Sequence, residues 1–143
     1  MQTFLPYASY SESAKVLDRQ RLGKQRVEAK QIYMALSDPN YGWQNHPAVL
    51  MWKGALNGLA LYGHVMCDEW KSRGYKDTLD GWFLDRYASP WTDDRLTPKW
   101  LGVPEFHASH RQTLLSKNFE WYKQFGWAES PKYEYWWPTK NGY

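Results

Sequence analysis

The central part of the chain places apolar residues at the spacing of one buried helix face. These positions are Val49, Trp52, Leu56, Leu59, Met66 and Trp70. Asn45 or His46 can cap the start of this helix, and Pro47 suits its first position, where a missing N–H group costs nothing. Gly74 is typical of the left-handed residue that follows a helix. The pattern predicts one long helix from about Pro47 to Arg73.

Two further helical segments flank the central one. The first runs from residue 11 or 13 to about residue 36 and is expected to bend or break near Gly23. The other is expected from about Glu105 to Lys117. No stretch shows the alternation of polar and apolar residues that is typical of a strand. The sequence therefore predicts an all-α fold.

The remaining parts of the chain are a long connection and a tail. Residues 75–104 contain Pro90, Pro98 and Pro104, which predicts an irregular connection with one short helix near Gly81 to Tyr87. The tail from Trp121 to Tyr143 is rich in aromatic residues. With 143 residues, we expect one compact domain over residues 1–143 with about three main helices.

Composition narrows the class of protein. Ten Trp, eleven Tyr and five Phe stand beside a mean hydropathy of −0.79, so aromatic rings supply much of the apolar area. The single cysteine, Cys67, excludes a disulfide framework and a four-thiolate metal site. Neither a run of roughly 18 apolar residues nor a signal peptide is visible. We expect a soluble, cytoplasmic monomer whose net charge of +3 permits a nucleic-acid partner without requiring one.

One carboxylate between Asp18 and Lys30 is surrounded by cations. The basic residues of this segment are Arg19, Arg21, Lys24, Arg26 and Lys30. Lys24 and Glu28 lie four residues apart, on one helix face. One interpretation is a solvent-exposed helix with a Lys24–Glu28 ion pair of little energetic value. The other is a phosphate-binding stripe with an acidic catalyst that its neighbours keep ionised, and the spacing leaves both open.

His107 and His110 form a second candidate group, since they lie three residues apart on the third predicted helix. A metal site would need further ligands from His46, His64, Asp68 or Glu69. Two histidines without a second pair favour polar contacts, so we expect no metal. Arg111 is a better phosphate ligand, because its guanidinium group can make two parallel hydrogen bonds.

A third candidate group combines aromatic rings with a cation. Trp121, Tyr122 and Lys123 lie in the aromatic segment Phe119–Trp127. Such a group suits stacking on unpaired bases beside a phosphate contact. Packing into the core of a small domain explains the same residues, and both interpretations stay open.

Taken together, these segments resemble the pyrimidine-dimer DNA glycosylase family, small all-α enzymes of the phage endonuclease type. Asp18 to Glu28 is similar to the family segment that ends in its catalytic glutamate, which falls on Glu28. His46 to Thr78 is similar to the central helix, its Arg-Gly exit and the Asp-Thr that follows. Arg111 and the segment Trp121–Gly126 resemble the third helix and the aromatic segment near its end.

The resemblance implies a DNA repair glycosylase that flips out and excises a damaged or modified pyrimidine in double-stranded DNA. In the family a terminal α-amine attacks C1′, the glutamate assists, and the resulting imine allows β-elimination of the strand, an AP lyase activity. Carried over, catalysis falls on Glu28 and on the terminus, Met1 or Gln2, without a cofactor or metal. DNA contacts fall on Arg19, Arg21, Lys24, Arg26, Lys30, His46, Arg111, Trp121, Tyr122 and Lys123.

The terminus is where the chain departs from the family pattern. The family enzyme exposes threonine once its methionine is removed, whereas the second residue here is Gln2, which is too large for ready removal. We expect Met1 to be retained. The Met1 amine, a processed terminus, a lysine such as Lys24, and water are all open as the nucleophile. The arginine that directly precedes the family's glutamate is replaced by Val27.

Two other functional classes fit the same residues. A non-catalytic DNA-binding module would use the basic stripe and the aromatic rings without needing Glu28. A metal-dependent nucleic-acid hydrolase would use the histidines and would lose activity on chelation.

Overall fold

The computed structural model describes residues 1–87 and 97–143, and these ranges contain seven α-helices and no strand. In chain order the helices are α1 Tyr10–Val16, α2 Arg19–Ser37, α3 Pro47–Leu50, α4 Leu56–Ser72, α5 Asp80–Tyr87, α6 Pro104–Lys117 and α7 Phe119–Tyr122. Short 3₁₀ turns follow at Lys123–Phe125 and Pro138–Asn141. The all-α prediction is confirmed. No helix in the described ranges is long and apolar enough to cross a membrane.

The single long helix predicted over residues 47–73 is wrong, because the chain forms α3 and α4 there with a turn between them. Gly54 has a φ of +79°, outside the right-handed helical region, and Ala55 has an extended φ of −135°. The predicted ends are correct. His46 Nδ1 accepts a hydrogen bond from the Ala48 N–H at 3.0 Å, and Gly74, with a φ of +88°, follows α4.

The first helical region breaks at Leu17 and Asp18 instead of near Gly23. Asp18 has extended backbone angles, and its N–H donates to the Tyr122 hydroxyl oxygen at 3.1 Å. Gly23 lies inside α2, where a Cβ atom would be 3.1 Å from the ring of Trp70. Glycine at this position therefore lets the Trp70 ring of α4 approach α2.

The later helices follow the sequence pattern. α5 and α6 agree with the predicted helices near residues 81–87 and 105–117 to within one residue. Residues 88–96, the middle of the predicted connection, lie outside the described residues. The tail is extended over most of its length before its final 3₁₀ turn.

The core is built around α4, which packs against α1, α2 and α5. Leu22 and Ile32 of α2 and Leu59 and Met66 of α4 are fully buried in it. Gly63 has a packing role, because a Cβ atom there would lie 2.3 Å from the Phe83 ring. Gly63 thus lets α4 and α5 approach closely.

The extended N-terminal segment, residues 1–6, runs through the interior beside α6. From Gln2 to Pro6 it is buried. His110 Nδ1 accepts a hydrogen bond from the Leu5 N–H at 2.9 Å, and His107 Nδ1 donates to the Leu5 carbonyl at 2.7 Å. His107 Nε2 accepts from the Gly102 N–H at 2.9 Å, which fixes the tautomer of that ring. Both histidines therefore hold the segment in place.

The burial of His110 makes stability depend on pH. Burial, and secondarily the charge of His107, lowers the pKa of His110 from 6.5 to about 3. Between these values the unfolded chain binds a proton that the folded chain does not, so the free energy of unfolding falls as the pH falls. We expect this one group to contribute a slope approaching about 1.4 kcal/mol per pH unit below pH 6.5.

Urea unfolding between pH 7 and pH 5 measures this slope. In His110→Gln the amide oxygen can still accept from Leu5 but does not titrate, so the variant should lose less stability than the wild type on acidification. Equal slopes in the two proteins would show that His110 is not buried in its neutral form.

Candidate active site

Gln25 of α2 fixes the beginning of the N-terminal segment. Its Nε2 donates to the Gln2 carbonyl at 3.1 Å, and its Oε1 accepts from the Phe4 N–H at 2.8 Å. The hydroxyl of Tyr62 in α4 shares its single proton between the Phe4 carbonyl, at 2.9 Å, and Gln25 Oε1, at 2.5 Å. Gln25 and Tyr62 are both buried, so these bonds are shielded from water.

Glu28 lies at the open end of this network. The Gln2 N–H donates to Glu28 Oε2 at 3.4 Å, and Gln25 Nε2 donates to the same oxygen at 3.1 Å. Gln25 therefore binds both the N-terminal segment and the carboxylate. The carboxylate is held beside the backbone nitrogen of residue 2, one residue from the α-amine of Met1.

A cleft of about 160 Å³ opens at this point. Met1, Gln2 and Glu28 line it together with the cations Arg21, Lys24 and Lys117 and the rings of Tyr133 and Tyr135. A wider, more open depression of about 670 Å³ borders it, and Gln20, Lys24 and Glu28 line both. Glu28 thus borders two concave surfaces, and Lys24, one helical turn away, borders both as well.

Most cations of the predicted basic stripe bind other parts of the protein. Arg26 forms an ion pair with Asp77, and its guanidinium group lies 4.6 Å from the centre of the Trp70 ring. The other engaged pairs are Arg21 with Asp18, Arg19 with the Tyr75 ring and Lys30 with the Trp82 ring. In the described part of the chain, Lys24 has no ion-pair or ring partner. The ion pair between Lys24 and Glu28, one of the two interpretations of this segment, is also absent from the described structure.

Arg111 is also occupied by the protein. Its Nε and one terminal nitrogen bind the two carboxylate oxygens of Glu129 at 2.8 and 3.1 Å. Its other terminal nitrogen donates to the Pro6 carbonyl at 2.8 Å. The guanidinium group that we predicted for phosphate thus joins the tail and the N-terminal segment to α6, and its hydrogen-bonding nitrogens are bound within the protein.

The aromatic group at residues 121–123 needs a similar correction. Tyr122 is fully buried, its hydroxyl donates to Asp18, and its ring stacks on Trp127, so it offers no surface to a base. Trp121 donates from Nε1 to the Val16 carbonyl at 2.7 Å. Lys123 is exposed and pairs with Glu120. The core-packing interpretation explains Tyr122 in this structure.

His46 lies near the terminus. Burial, and secondarily the positive charge of the Met1 α-ammonium, lowers the pKa of His46. Its ring contacts Trp43 and Trp137 edge-on. Within the described ranges, no group of three or more His, Cys, Asp or Glu side chains is arranged to hold a metal ion.

Residues 1–81 match the sequence profile of a family described as pyrimidine dimer DNA glycosylase, which is more than half of the chain. The chain belongs to this family. Neither the curated proteins nor the solved structures provide a significant match to it. Family membership implies a DNA glycosylase with DNA as its substrate. The matched range holds the N-terminal segment, α1 to α4 and Glu28, whereas Lys117, Tyr133 and Tyr135 lie outside it.

Gln25 and Tyr62 were not predicted as site residues. Gln25 is a polar residue in the buried stripe of α2, between Leu22 and Ala29. A lone amide on an apolar face is a signal that could have been found, because a buried amide needs partners. Its partners in the N-terminal segment could not be found in this way, since they lie more than twenty residues away along the chain.

Replacement of Gln25 tests whether it holds the N-terminal segment. Gln25→Leu keeps the side-chain volume but leaves the Phe4 N–H and the Gln2 carbonyl without this partner, so the free energy of unfolding should fall by about 1–3 kcal/mol. Hydrogen exchange at the Phe4 amide should become faster.

Gln31→Leu is the matched control, because Gln31 lies on the same helix and is only partly buried. It should change stability by less than about 0.5 kcal/mol. If both variants unfolded at the same urea concentration, Gln25 would not anchor the segment.

Proposed function

We propose that this protein excises a damaged pyrimidine from duplex DNA with a terminal α-amine as nucleophile and Glu28 as the assisting carboxylate. The observation that supports this most is the position of Glu28 Oε2, 3.4 Å from the backbone nitrogen of Gln2 and in the same cleft as Met1. If Met1 were removed, the α-amine would be the nitrogen of Gln2, which lies within hydrogen-bonding distance of the Glu28 carboxylate. An amine on Met1 would enter the same cleft.

The chemistry follows from these two groups. The neutral amine attacks C1′ of the damaged nucleotide, and the bond between C1′ and the base breaks with its electron pair going to the base. An α-amine has an ordinary pKa of about 7.7–8.0, so a useful fraction is neutral near pH 7. Glu28 stabilises the positive charge that develops on the sugar.

Strand cleavage is the second step of the proposal. The nitrogen then loses a proton, its electron pair forms a C1′=N bond, and the C1′–O4′ bond of the sugar ring breaks as O4′ takes up a proton. The resulting protonated imine acidifies the hydrogens on C2′. Glu28 accepts one of them, and the C3′–oxygen bond then breaks with the phosphate as leaving group. The α-amine nucleophile thus accounts for both base excision and AP lyase activity.

DNA contacts are proposed for the cations that remain accessible at the two concave surfaces. Lys24 is exposed between them and is free to bind a phosphate. Arg19 borders the wider depression and lies over the Tyr75 ring. Arg21 borders the cleft and forms an ion pair with Asp18. The target nucleotide must leave the base stack to bring C1′ to Glu28, as in other enzymes that act on single bases.

Glu28→Gln tests the assignment of the carboxylate. The change removes the negative charge but little volume, so excision of a pyrimidine dimer should slow by about 10²- to 10⁴-fold. Duplex binding should be nearly unchanged. Single-turnover cleavage of the glycosidic bond in a dimer-containing duplex, detected as alkali-labile strand breaks, gives the first quantity, and a parallel measurement of the dissociation constant gives the second.

Glu12→Gln is the control, because Glu12 is exposed on α1 and pairs only with Lys15 in the described structure. It should excise at the wild-type rate. Full activity in Glu28→Gln would show that Glu28 is not the catalytic carboxylate.

A further inference from the structure

Tyr133 is an exposed aromatic side chain at the edge of the catalytic cleft. Its residue surface is 66% accessible, the highest value among the exposed large apolar side chains in the described ranges. It lines the cleft together with Glu28 and Met1. A single exposed ring is ordinary on a protein surface, so its meaning depends on how it is held and what lies beside it.

The backbone on both sides of Tyr133 is fixed to α6. The Lys132 N–H donates to the Gln112 carbonyl at 3.1 Å. On the other side, Thr113 Oγ1 donates to the Glu134 carbonyl at 3.0 Å. The extended tail is thus bound on either side of the ring, and Tyr133 has a defined position.

The ring itself has two neighbours. The Lys117 ammonium group lies 4.4 Å from its centre, and the Tyr135 ring meets it edge-on at 5.7 Å. In the described part of the chain, Lys117 has no carboxylate partner. Because the ammonium group lies over one face of this accessible ring, the opposite face is the one that can stack on an unpaired base, while the ammonium group faces a phosphate.

We propose that Tyr133 and Lys117 form a stacking platform for a base of the DNA that has left the stack at the catalytic cleft. The proposal rests on the proposed function, since it requires DNA in this cleft. All residues of the platform lie beyond residues 1–81, so this wall is supplied by a part of the chain outside the family match. It would add to substrate selection without entering the chemistry at Glu28.

Fluorescence of 2-aminopurine tests the platform directly. This base is bright when unstacked and quenched when it stacks on a ring. The probe is a duplex with an uncleavable abasic analogue and 2-aminopurine in turn at the positions beside and opposite it. With the wild-type protein and with Tyr133→Phe, 2-aminopurine at one of these positions should leave the DNA stack but remain quenched, because it stacks on the ring of residue 133. With Tyr133→Leu, the same position should become bright.

The affinity for this duplex provides the second measurement. Tyr133→Leu should bind this duplex about five- to 100-fold more weakly than the wild type, whereas Tyr133→Phe should stay within about twofold. Lys117→Met should lower the salt slope of binding by about one unit. Tyr143→Leu is the matched control, because Tyr143 is also exposed but does not line this cleft.

The outcomes separate this proposal from the proposed function. If the wild type excises dimers and Tyr133→Leu matches it in fluorescence, affinity and rate, the platform is overturned while the glycosylase assignment stands. If the wild type neither excises the base nor binds the duplex, the proposed function fails and the platform fails with it.

Discussion

A buried extended segment with no partner strand must have its backbone groups bound by side chains, and the rest of this structure is arranged around that constraint. Each buried N–H or carbonyl group left without a partner costs about 1–3 kcal/mol. Side chains from three helices bind backbone groups of the first six positions: Gln25 and Glu28 of α2, Tyr62 of α4, and His107, His110 and Arg111 of α6. The segment therefore joins helices that are distant in sequence, and its free end is fixed beside Glu28.

This arrangement explains why so many polar side chains are buried in a small protein. The amide of Gln25, the hydroxyl of Tyr62 and the imidazole rings of His107 and His110 can be buried because each forms a hydrogen bond with a backbone group that is itself buried. The nucleophile that we propose would gain from the same bonds. An amine on an unbound terminus would sample many positions, whereas the backbone nitrogen of Gln2 is held 3.4 Å from the Glu28 carboxylate.

Two basic residues of α2 hold this helix against its neighbours. Arg26 lies between Asp77 and the Trp70 ring, and Lys30 lies on the Trp82 ring, so both attach α2 to the α4–α5 region. These contacts stabilise the helices that carry Gln25 and Glu28. Lys24 is the basic residue of α2 that has no ion-pair or ring partner in the described part of the chain.

Local features of the fold could be predicted from the sequence, because helix caps act within a few residues. Pro47 and Gly74 mark real helix ends for this reason. The split at Gly54 was missed because Val49 and Trp52 are buried in a short helix and a turn just as they would be in a long helix. Glu28 could be selected as a carboxylate among cations.

The partners of these residues could not be predicted. The bond from Leu5 to His110 spans 105 positions, and the Arg26–Asp77 pair spans 51. An isolated sequence therefore presents Arg26 and Arg111 as phosphate ligands and the histidines as candidate metal ligands. Only the folded structure shows that these side chains already bind a carboxylate, a backbone group or an aromatic ring of the protein.

The most direct measurement is borohydride trapping on a duplex that contains a pyrimidine dimer or an abasic site, followed by mapping of the adducted peptide. Borohydride reduces the imine to a stable amine, so the modified residue identifies the nucleophile. We expect an adduct on the N-terminal peptide, whose mass shows whether Met1 or Gln2 carries the amine. An adduct on the peptide that contains Lys24, or excision of the base with no adduct at all, would contradict the proposed α-amine mechanism.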